Sequence, residues 1–431
     1  MGVRETAAWS WSNWLRTGMR SMVARNAASL YLIQFANYIV PLIMVPYLVR
    51  VLGPAGYGAV AFAQGFINYL MLFVEYGFDW SATRKISVIR EDRAAVNRIA
   101  LHVWAAKGLL SLVGLVVLGA LTVAVSKLRE VAVLLFALYG LVVGNALFPT
   151  WLFQGMERMV AISLINLAMK LGILAGVFLL VKRPEDAVLY AGLLGGGSLL
   201  AGLAGALVAF RMFGLQLMGI SARGIGEALR EGWVLFLARS TLSISTVGNA
   251  FILGMVTSPT VVGYYSAAEK LVLAVYGMTG PIVRATYPKV CRLLVENKLY
   301  QAKKYFRLVV LLGLVLTLTV FITAAEVVSI LFGNQYIESI LVLKVLSFCV
   351  LLYSISNALA FYYFFPSRND SIYQKIIVIS ALINIVFAIP LSLKLQEVGM
   401  ATAVVLSALF MTVALYFSSR KTENYQLTVS N

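Results

Sequence analysis

The dominant pattern in the sequence is a series of twelve long apolar stretches separated by short polar segments. A helix needs roughly 20 mostly apolar residues to cross the hydrocarbon core of a bilayer, and every stretch reaches that length. Backbone groups in hydrocarbon must bond to one another, so each stretch is predicted to be a helix. The sequence therefore predicts an all-α integral membrane protein whose twelve transmembrane helices cover residues 28–51, 57–77, 99–125, 131–153, 160–181, 187–213, 232–256, 260–282, 305–331, 337–365, 372–393 and 398–419.

An internal repeat divides these spans into two halves of six. Residues 51–64 align with residues 256–269 at a constant offset, which pairs Pro54 with Pro259, Gly58 with Gly263, and Gln64 with Glu269. The match is short, but it pairs the first outer turn with the turn between spans seven and eight, where a duplication of six helices would place it. Parallel six-helix repeats are a transporter architecture, in which the substrate path lies between the two lobes.

The repeat and the polar segments give a predicted domain organisation. Apolar and basic residues alternate at helical spacing near the N-terminus, which predicts an amphipathic helix on the inner membrane surface, with a disordered tail as the alternative. The predicted segments are the N-terminal segment 1–27, the N-terminal six-helix lobe 28–213, the cytoplasmic linker 214–231, the C-terminal six-helix lobe 232–419 and the cytoplasmic tail 420–431.

The distribution of charge predicts the orientation of the spans. The chain has 35 Lys and Arg against 18 Asp and Glu, which gives a net charge of +17. With a cytoplasmic N-terminus, 24 of the basic residues fall on the inner side and six on the outer side. Cytoplasmic loops collect Lys and Arg, so both termini are predicted to be cytoplasmic. The basic charge then indicates contact with membrane lipids and not with nucleic acid.

Composition excludes several classes of function. Hydrophobic residues make up 61% of the chain and charged residues 12%, which leaves no soluble domain. Two cysteines and one histidine, His102, provide neither a disulfide framework nor a histidine metal site, so no metal and no cofactor is predicted. The predicted outer loops are short, so an enzyme that polymerises or ligates glycans on the outer face would have no place for its catalytic groups.

Ionisable residues inside the predicted spans are the main candidates for a functional site. A charge at the middle of a membrane helix costs on the order of 3 kcal/mol by insertion scales, so each one requires water or a partner. Lys170 lies in the middle of the fifth span, and Lys270 lies in the eighth span beside Glu269. Lys107 and Arg239 lie about two turns from the cytoplasmic face, where snorkelling to water explains them as well as a cavity does.

The deep charges are mainly basic, which indicates an anionic substrate. A water-filled cavity with such charges and low-dielectric walls attracts anions, and phosphate or diphosphate is the natural partner of Lys and Arg. Amides in the first and seventh spans suit the recognition of sugar hydroxyls, although such polar residues also pack helices against one another. The candidate amides are Gln34, Asn37 and Asn249.

Four blocks of the sequence carry a resemblance to a known family. The run RNAASLYLIQFANYIVPLIMVPYLVRVLGPAGYGAVAFAQ (25–64), continued by EYGFDWSATRKIS (75–87), is similar to the first two helices of bacterial polysaccharide flippases. LFPTWLFQGMERM (147–159) and VGYYSAAEKL (262–271) show the same similarity. The chain thus resembles the O-antigen flippases, within the superfamily that also contains MATE drug exporters and the lipid II flippase.

The resemblance implies a MATE-like, V-shaped fold that opens alternately to the two sides of the bacterial inner membrane. It implies a substrate made of an oligosaccharide on undecaprenyl diphosphate, carried from the inner to the outer leaflet, with proton or sodium coupling. A glycan polymerase and a chain-length regulator are the partners that it suggests. The chain has twelve predicted spans where lipid II flippases have fourteen, which argues against lipid II as the substrate.

The charge pattern assigns hypothetical roles to individual residues. The diphosphate meets arginines near the inner mouth and moves toward lysines at mid-depth, while the sugars occupy the hydrated path. Glu75 and Glu269 are the candidates for binding a coupling ion. The proposed diphosphate- and sugar-binding set is Arg25, Lys107, Lys170, Arg239, Lys270, Arg284, Gln34, Asn37 and Asn249.

Two other functions on a membrane fold are alternatives at this point. A multidrug or small-molecule exporter would bind organic cations, so acidic residues are expected to dominate its cavity. A structural membrane scaffold would leave the charges in the middle of the spans unexplained. No covalent chemistry is predicted for this chain.

Overall fold

The computed structural model describes residues 22–296, 298–367 and 369–429, with side chains from residue 40 onward except those of 234, 238–247, 299, 370 and 420–429. The described residues form helices joined by short connections. The twelve helices that occupy the predicted spans are α1 (22–52), α2 (54–75), α3 (Arg93–Ala124), α4 (Ala132–Gly155), α5 (Met159–Leu180), α6 (Ala187–Phe213), α7 (222–256), α8 (Pro259–Gly277), α9 (Leu299–Ile322), α10 (Ser339–Phe364), α11 (370–395) and α12 (397–429).

Eight continuous helical stretches among the described residues are long and apolar enough to cross a membrane. Two of them, Val40–Ile89 with 50 residues and Ser371–Ser419 with 49, are more than twice the length that a bilayer requires. The non-helical residue Gly53 divides the first into two crossing helices, and positive φ angles at Tyr76 and Gly77 interrupt it again near its end. Gln396 divides the second in the same way. With α7 and α8, the predicted all-α fold of twelve transmembrane helices is confirmed.

The connections differ between the two ends of the bundle. The connections that follow odd-numbered helices are short, except that the one between α9 and α10 contains the helix Ala324–Leu331, and the end where they lie is called the short-loop end. The opposite end, called the basic end, carries two additional helices, Phe78–Ile89 and Gly280–Val295. The segments 79–98 and 284–304 lie between the predicted spans, and the structure shows that most of each is helical.

Packing groups the helices into an N-terminal and a C-terminal lobe. In the first half, α4 packs against α6, and α5 packs against the first two helices. In the second half, α10 packs against α8, α9 and the last two helices. The lobes meet where α7 and α8 contact the α1–α2 pair. The exact boundaries predicted for the five segments of the chain stay predictions.

The lobes contact each other reciprocally at the short-loop end. A Cβ atom added at Gly58 of α2 would overlap the carbonyl oxygen of Pro259, and one at Gly263 of α8 would overlap that of Pro54. These four residues are the pairs that the repeat aligns. Only glycine permits two helix backbones to approach this closely, so the contact has the pseudo-two-fold symmetry that a duplication produces.

Polar contacts reinforce this closure. Arg50, at the end of α1, donates hydrogen bonds to the carbonyl oxygens of Ile330 and Leu331, the latter at 3.0 Å. In return, Gln335 donates to the carbonyl oxygens of Val49 at 3.3 Å and Arg50 at 3.1 Å. Both interactions satisfy carbonyl groups that a helix end leaves unpaired. The interface between the lobes is therefore closed at the short-loop end.

Candidate functional site

A cavity of about 560 Å³ lies between the N-terminal lobe and α8. Its walls come mainly from α1, α2, α5, α6 and α8, and Tyr57 and Tyr190 line it toward the short-loop end. Among the described residues that line it, the charged ones are Lys170, Glu269 and Lys270. Two ammonium groups against one carboxylate make this space, called the central cavity, a site suited to an anion.

The two lysines enter the central cavity at the same depth from opposite lobes. Lys170 is ten residues from the end of α5 at Leu180, and Lys270 is eleven residues from the start of α8 at Pro259. At a rise of about 1.5 Å per residue, both lie about 15 to 16 Å from the short-loop end. An anionic ligand at this level would be attracted to both ammonium groups.

Lys270 also lines a second, apolar space. This seam groove, with a volume of about 200 Å³, lies between α1 and α8 and ends against Leu331 and Phe332. The other residues that line it are apolar: Pro41, Leu42, Val45, Pro46, Leu271, Leu273 and Ala274. Since Lys270 borders both spaces, a ligand could place a charged group at Lys270 and a hydrocarbon chain in the seam groove.

The N-terminal wall of the central cavity carries uncharged polar groups. Gln64 and Asn68 come from α2, Asn166 from α5 and Ser198 from α6. The side-chain oxygen of Asn166 is buried and accepts no hydrogen bond from any described residue. A buried acceptor without a donor is costly, which makes this atom a candidate ligand contact.

Glu269 connects the central cavity with a polar cluster inside the C-terminal lobe. Its carboxylate accepts hydrogen bonds from the Tyr265 hydroxyl at 2.7 Å and from the Asn249 amide at 3.3 Å. Asn384 of α11 donates in turn to the Asn249 side-chain oxygen at 3.2 Å. These residues, together with Ser380 and Ser407 and several apolar side chains, line a separate space of about 410 Å³. Glu269 thus lies on the border of two cavities.

The structure places Lys107 outside the lining of the central cavity. Lys107 is buried, with 1% of its surface exposed, and its ammonium lies 3.7 Å from the carboxylate of Asp79. The side-chain carboxylate of Glu75, a candidate for ion coupling, accepts a hydrogen bond from Asn145 at 3.4 Å and lines neither cavity. Both contacts lie within the N-terminal lobe.

Of the remaining predicted site residues, some lie away from the central cavity and the others have side chains outside the described residues. Asn249 belongs to the cluster around Glu269 and does not line the central cavity, whereas Arg284 is exposed on the additional helix Gly280–Val295 at the basic end. Four predicted side chains lie outside the described residues, so their positions stay predictions: Arg25, Gln34, Asn37 and Arg239.

Sequence reasoning missed the polar wall of the N-terminal lobe. Asn166 precedes Lys170 by four residues, a spacing that places two side chains on the same helix face, so this signal was available. Gln64 aligns with Glu269 in the repeat, and both line the cavity. Ser198 lies in a glycine- and leucine-rich span, where no feature of the sequence marks it as a residue that lines a cavity. Among the described residues, no three His, Cys, Asp or Glu side chains come close enough to hold a metal ion.

The twelve-helix fold and a charged cavity between its two lobes define a membrane protein of the transporter type. The chain belongs to the family described as polysaccharide biosynthesis protein, whose model matches residues 23–294. It is 29% identical over 391 residues to a "Putative O-antigen transporter" of Escherichia coli (strain K12), covering 90% of this chain and 94% of that protein. It is 28% identical over 399 residues to a protein of the same description from Shigella dysenteriae, covering 91% and 99%.

Solved structures share the fold. The lipid II flippase MurJ in an inward closed conformation matches with a TM-score of 0.76 and 14% identity, over 92% of this chain and 87% of that one. An inward-facing multidrug resistance MATE family transporter matches with a TM-score of 0.68 and 14% identity, over 94% and 100%. The predicted membership of the superfamily of MATE-like exporters and polysaccharide flippases, with its V-shaped fold, is confirmed.

Proposed function

We propose that the protein is a flippase that moves an undecaprenyl-diphosphate-linked oligosaccharide, such as an O-antigen repeat unit, from the cytoplasmic to the outer leaflet of the inner membrane. One observation carries the proposal: Lys170 and Lys270 line the central cavity at the same depth, and the cavity adjoins the apolar seam groove at Lys270. This arrangement suits an amphiphile with an anionic centre. The descriptions of the E. coli and Shigella relatives support the same substrate class.

Each part of the substrate has a place in this proposal. The diphosphate carries negative charge and lies between the two ammonium groups, where the surrounding low dielectric strengthens the attraction. The prenyl chain leaves the cavity along the seam groove and continues into lipid, so little apolar surface enters water. The glycan occupies the hydrated part of the central cavity. No bond is formed or broken, since the protein changes only the side of the membrane that the site faces.

The charge distribution and the closed interface support the direction of transport. The basic end is proposed to be cytoplasmic, because Lys and Arg concentrate on that side of membrane proteins, and both termini then lie in the cytoplasm. The reciprocal contact of Gly58 and Gly263 closes the opposite end. A state closed toward the outside receives substrate from the inside. Arg284 at the basic end is a candidate for the first contact with the diphosphate, as are Arg25 and Arg239.

We infer that Glu269 binds the coupling ion, a proton or a sodium ion. Its carboxylate accepts hydrogen bonds from the Tyr265 hydroxyl and the Asn249 amide N–H, and carboxylate oxygens are among the ligands that hard cations prefer. It also lines the central cavity beside Lys270, so a change in its charge alters the field at the proposed diphosphate site. Glu75 lines neither cavity and is the weaker candidate. A glycan polymerase and a chain-length regulator stay the proposed partners.

Surface glycan in a strain without its own flippase tests the proposal. Lys270→Ala and Lys170→Ala should insert normally but restore little surface glycan, and Lys270→Arg should retain part of the function because it keeps the charge. Lys344→Ala is the matched control, since this lysine lies in α10 over the Phe321 ring at 5.7 Å and does not line the central cavity.

Full surface glycan from both alanine variants would contradict the proposed role of the cavity lysines. A multidrug exporter is the rival on the same fold, which the MATE transporter shares. It predicts resistance to cationic dyes on expression, with no restoration of surface glycan. The two functions therefore give opposite results in the same pair of strains.

A further inference from the structure

We propose that the N-terminal wall of the central cavity is a sugar subsite, in which Asn166 and Asn68 distinguish a glycan-bearing prenyl diphosphate from the bare lipid. The proposal rests on the flippase function proposed above and adds a specificity determinant to it. The wall consists of Gln64, Asn68, Asn166 and Ser198, and none of these residues emerged from the sequence as a candidate.

The position of the seam groove fixes which way the glycan must point. A prenyl chain in the groove and a diphosphate at Lys270 define two of the three parts of the substrate. The glycan is attached to the far side of the diphosphate, so it extends from Lys270 away from the α1–α8 seam. Apart from α1 and α8, the walls of the cavity belong mainly to α2, α5 and α6, which carry the amides and the serine.

The side-chain oxygen of Asn166 determines which chemical group of a ligand can bind next to it. Its side-chain oxygen is buried and accepts no hydrogen bond from the described residues. The missing partner is therefore a donor. An ionised diphosphate offers only acceptors, whereas a pyranose offers several hydroxyl donors and an N-acetylated sugar adds an amide N–H. Only the sugar part of the substrate can satisfy this atom.

The spacing along α5 suits one sugar next to the diphosphate. Asn166 and Lys170 are four residues apart on the same helix face and both line the cavity, about 6 Å apart along the axis. That separation is comparable to the size of a single pyranose ring. Asn68 of α2 is fourteen residues from Pro54, and Asn166 is fourteen residues from Leu180, so the two amides lie at the same depth. A sugar bound between them would be held from two helices.

Binding of short-chain substrate analogues to the full-length protein in lipid nanodiscs tests the inference. The probes are farnesyl diphosphate, and farnesyl diphosphate carrying either galactose or N-acetylglucosamine. The quantity of interest is the ratio of the dissociation constant for the bare lipid to that for the tighter sugar-bearing lipid. The wild-type ratio should exceed one, and Asn166→Ala should lower it by about threefold to tenfold, the range for one or two hydrogen bonds.

Two further variants make the result specific. Asn68→Ala should lower the ratio in the same direction, and it keeps the test valid if Asn166→Ala does not fold. Lys270→Ala should weaken both types of probe and leave the ratio unchanged. Leu164→Ala, on the exposed face of α5, is the matched control and should change neither constant.

The outcomes separate the two proposals. A wild-type ratio of one, or a ratio that neither asparagine variant changes, would overturn the sugar subsite and leave the flippase function intact. Failure of every farnesyl diphosphate probe to bind the wild-type protein would overturn the flippase function, and the sugar subsite with it.

Discussion

Lysines inside the membrane helices lie in three different environments in this protein. Lys107 is buried against Asp79, and Lys344 lies over the ring of Phe321. Lys170 and Lys270 line the central cavity. Lys107 and Lys344 do not line that cavity. The depth of a lysine in its span therefore does not by itself show whether it meets the cavity.

The Lys107–Asp79 pair should contribute to stability and not to transport. Lys107→Met removes one partner of a largely buried pair, so the free energy of unfolding should fall by about 2 kcal/mol, a value reduced because Asp79 is partly exposed. The double variant Lys107→Met with Asp79→Asn should recover part of this loss. Thermal denaturation of the detergent-solubilised protein measures both, with surface glycan per folded molecule as the control. Normal stability of the single variant combined with lost export would place Lys107 in the transport path instead.

Glu269 should make transport dependent on an ion gradient. In proteoliposomes with an imposed proton or sodium gradient, Glu269→Gln should move a fluorescent lipid-linked glycan at the same rate with and without the gradient, because the amide carries no charge for the ion to neutralise. Glu75→Gln is the matched control, since Glu75 lines neither cavity, and it should keep the response of the wild type. The reverse pattern in the two variants would exchange the roles assigned to these carboxylates.

Part of the site was predictable from single residues. Lys170, Glu269 and Lys270 stand out in the sequence because ionisable groups are rare in membrane helices, and all three line the central cavity. Polar, uncharged residues give no such signal: Asn166 and Asn249 are equally conspicuous in sequence, yet they lie in different cavities. Which face of a helix meets a cavity depends on packing between helices, and a uniformly apolar span does not encode it.

At the scale of helices, the crossing of α2 and α8 is the clearest product of the internal repeat. Pro54 opposes Gly263, and Pro259 opposes Gly58, so each half supplies the same proline and the same glycine to one contact. The contact joins backbones and not flexible side chains. A substitution at either glycine therefore cannot be absorbed by a rotamer change.

A methyl group at Gly58 should open the short-loop end. In a background with Cys291 and Cys349 replaced by serine, Ser266→Cys reports access to the cavity, because Ser266 lines it and is almost completely buried. Gly58→Ala should raise the labelling of this cysteine by a membrane-impermeant maleimide several-fold, since the overlap with Pro259 disfavours the closed state. Gly119→Ala is the control, because a Cβ there meets no atom within 4 Å. Unchanged labelling in Gly58→Ala would show that this contact does not hold the end closed.

The sequence predicted the membrane helices well and their interruptions less well. A proline removes a backbone donor and interrupts the hydrogen-bond ladder, yet α1 continues past both Pro41 and Pro46, and these prolines line cavities. Prolines are tolerated in membrane helices because neighbouring groups satisfy the freed carbonyls. The basic segments at the inner side are polar, and a polar segment between two apolar spans is typical of a loop. They are amphipathic helices, a pattern that hydropathy alone does not separate from a loop.

At the scale of the whole molecule, the central cavity and the seam groove together suit the three parts of a lipid-linked glycan. The central cavity offers two ammonium groups and a polar wall, and the seam groove offers an apolar channel beside Lys270. The fold class follows from hydropathy because a bilayer permits little besides helices of fixed length. The arrangement of those helices around a cavity followed from the resemblance and the repeat. The periodicity of the apolar residues was not sufficient to predict this arrangement.

Transport should require the two lobes to separate at the short-loop end. Arg50→Cys and Gln335→Cys place thiols on opposite lobes at a pair of residues that contact each other. A short bifunctional thiol reagent should link them and abolish export of surface glycan, and a reagent that is cleaved by reduction should allow recovery. Either single cysteine variant controls for modification alone. Continued export from the cross-linked protein would exclude alternating opening at this end.

The most direct measurement is a structure of the protein in a lipid nanodisc with bound farnesyl diphosphate. Density for the diphosphate is expected between the ammonium groups of Lys170 and Lys270, with the farnesyl chain in the seam groove beside Pro41 and Leu273. Density for the diphosphate at the basic end alone, or inside the C-terminal cluster around Asn249, would contradict the proposed binding site.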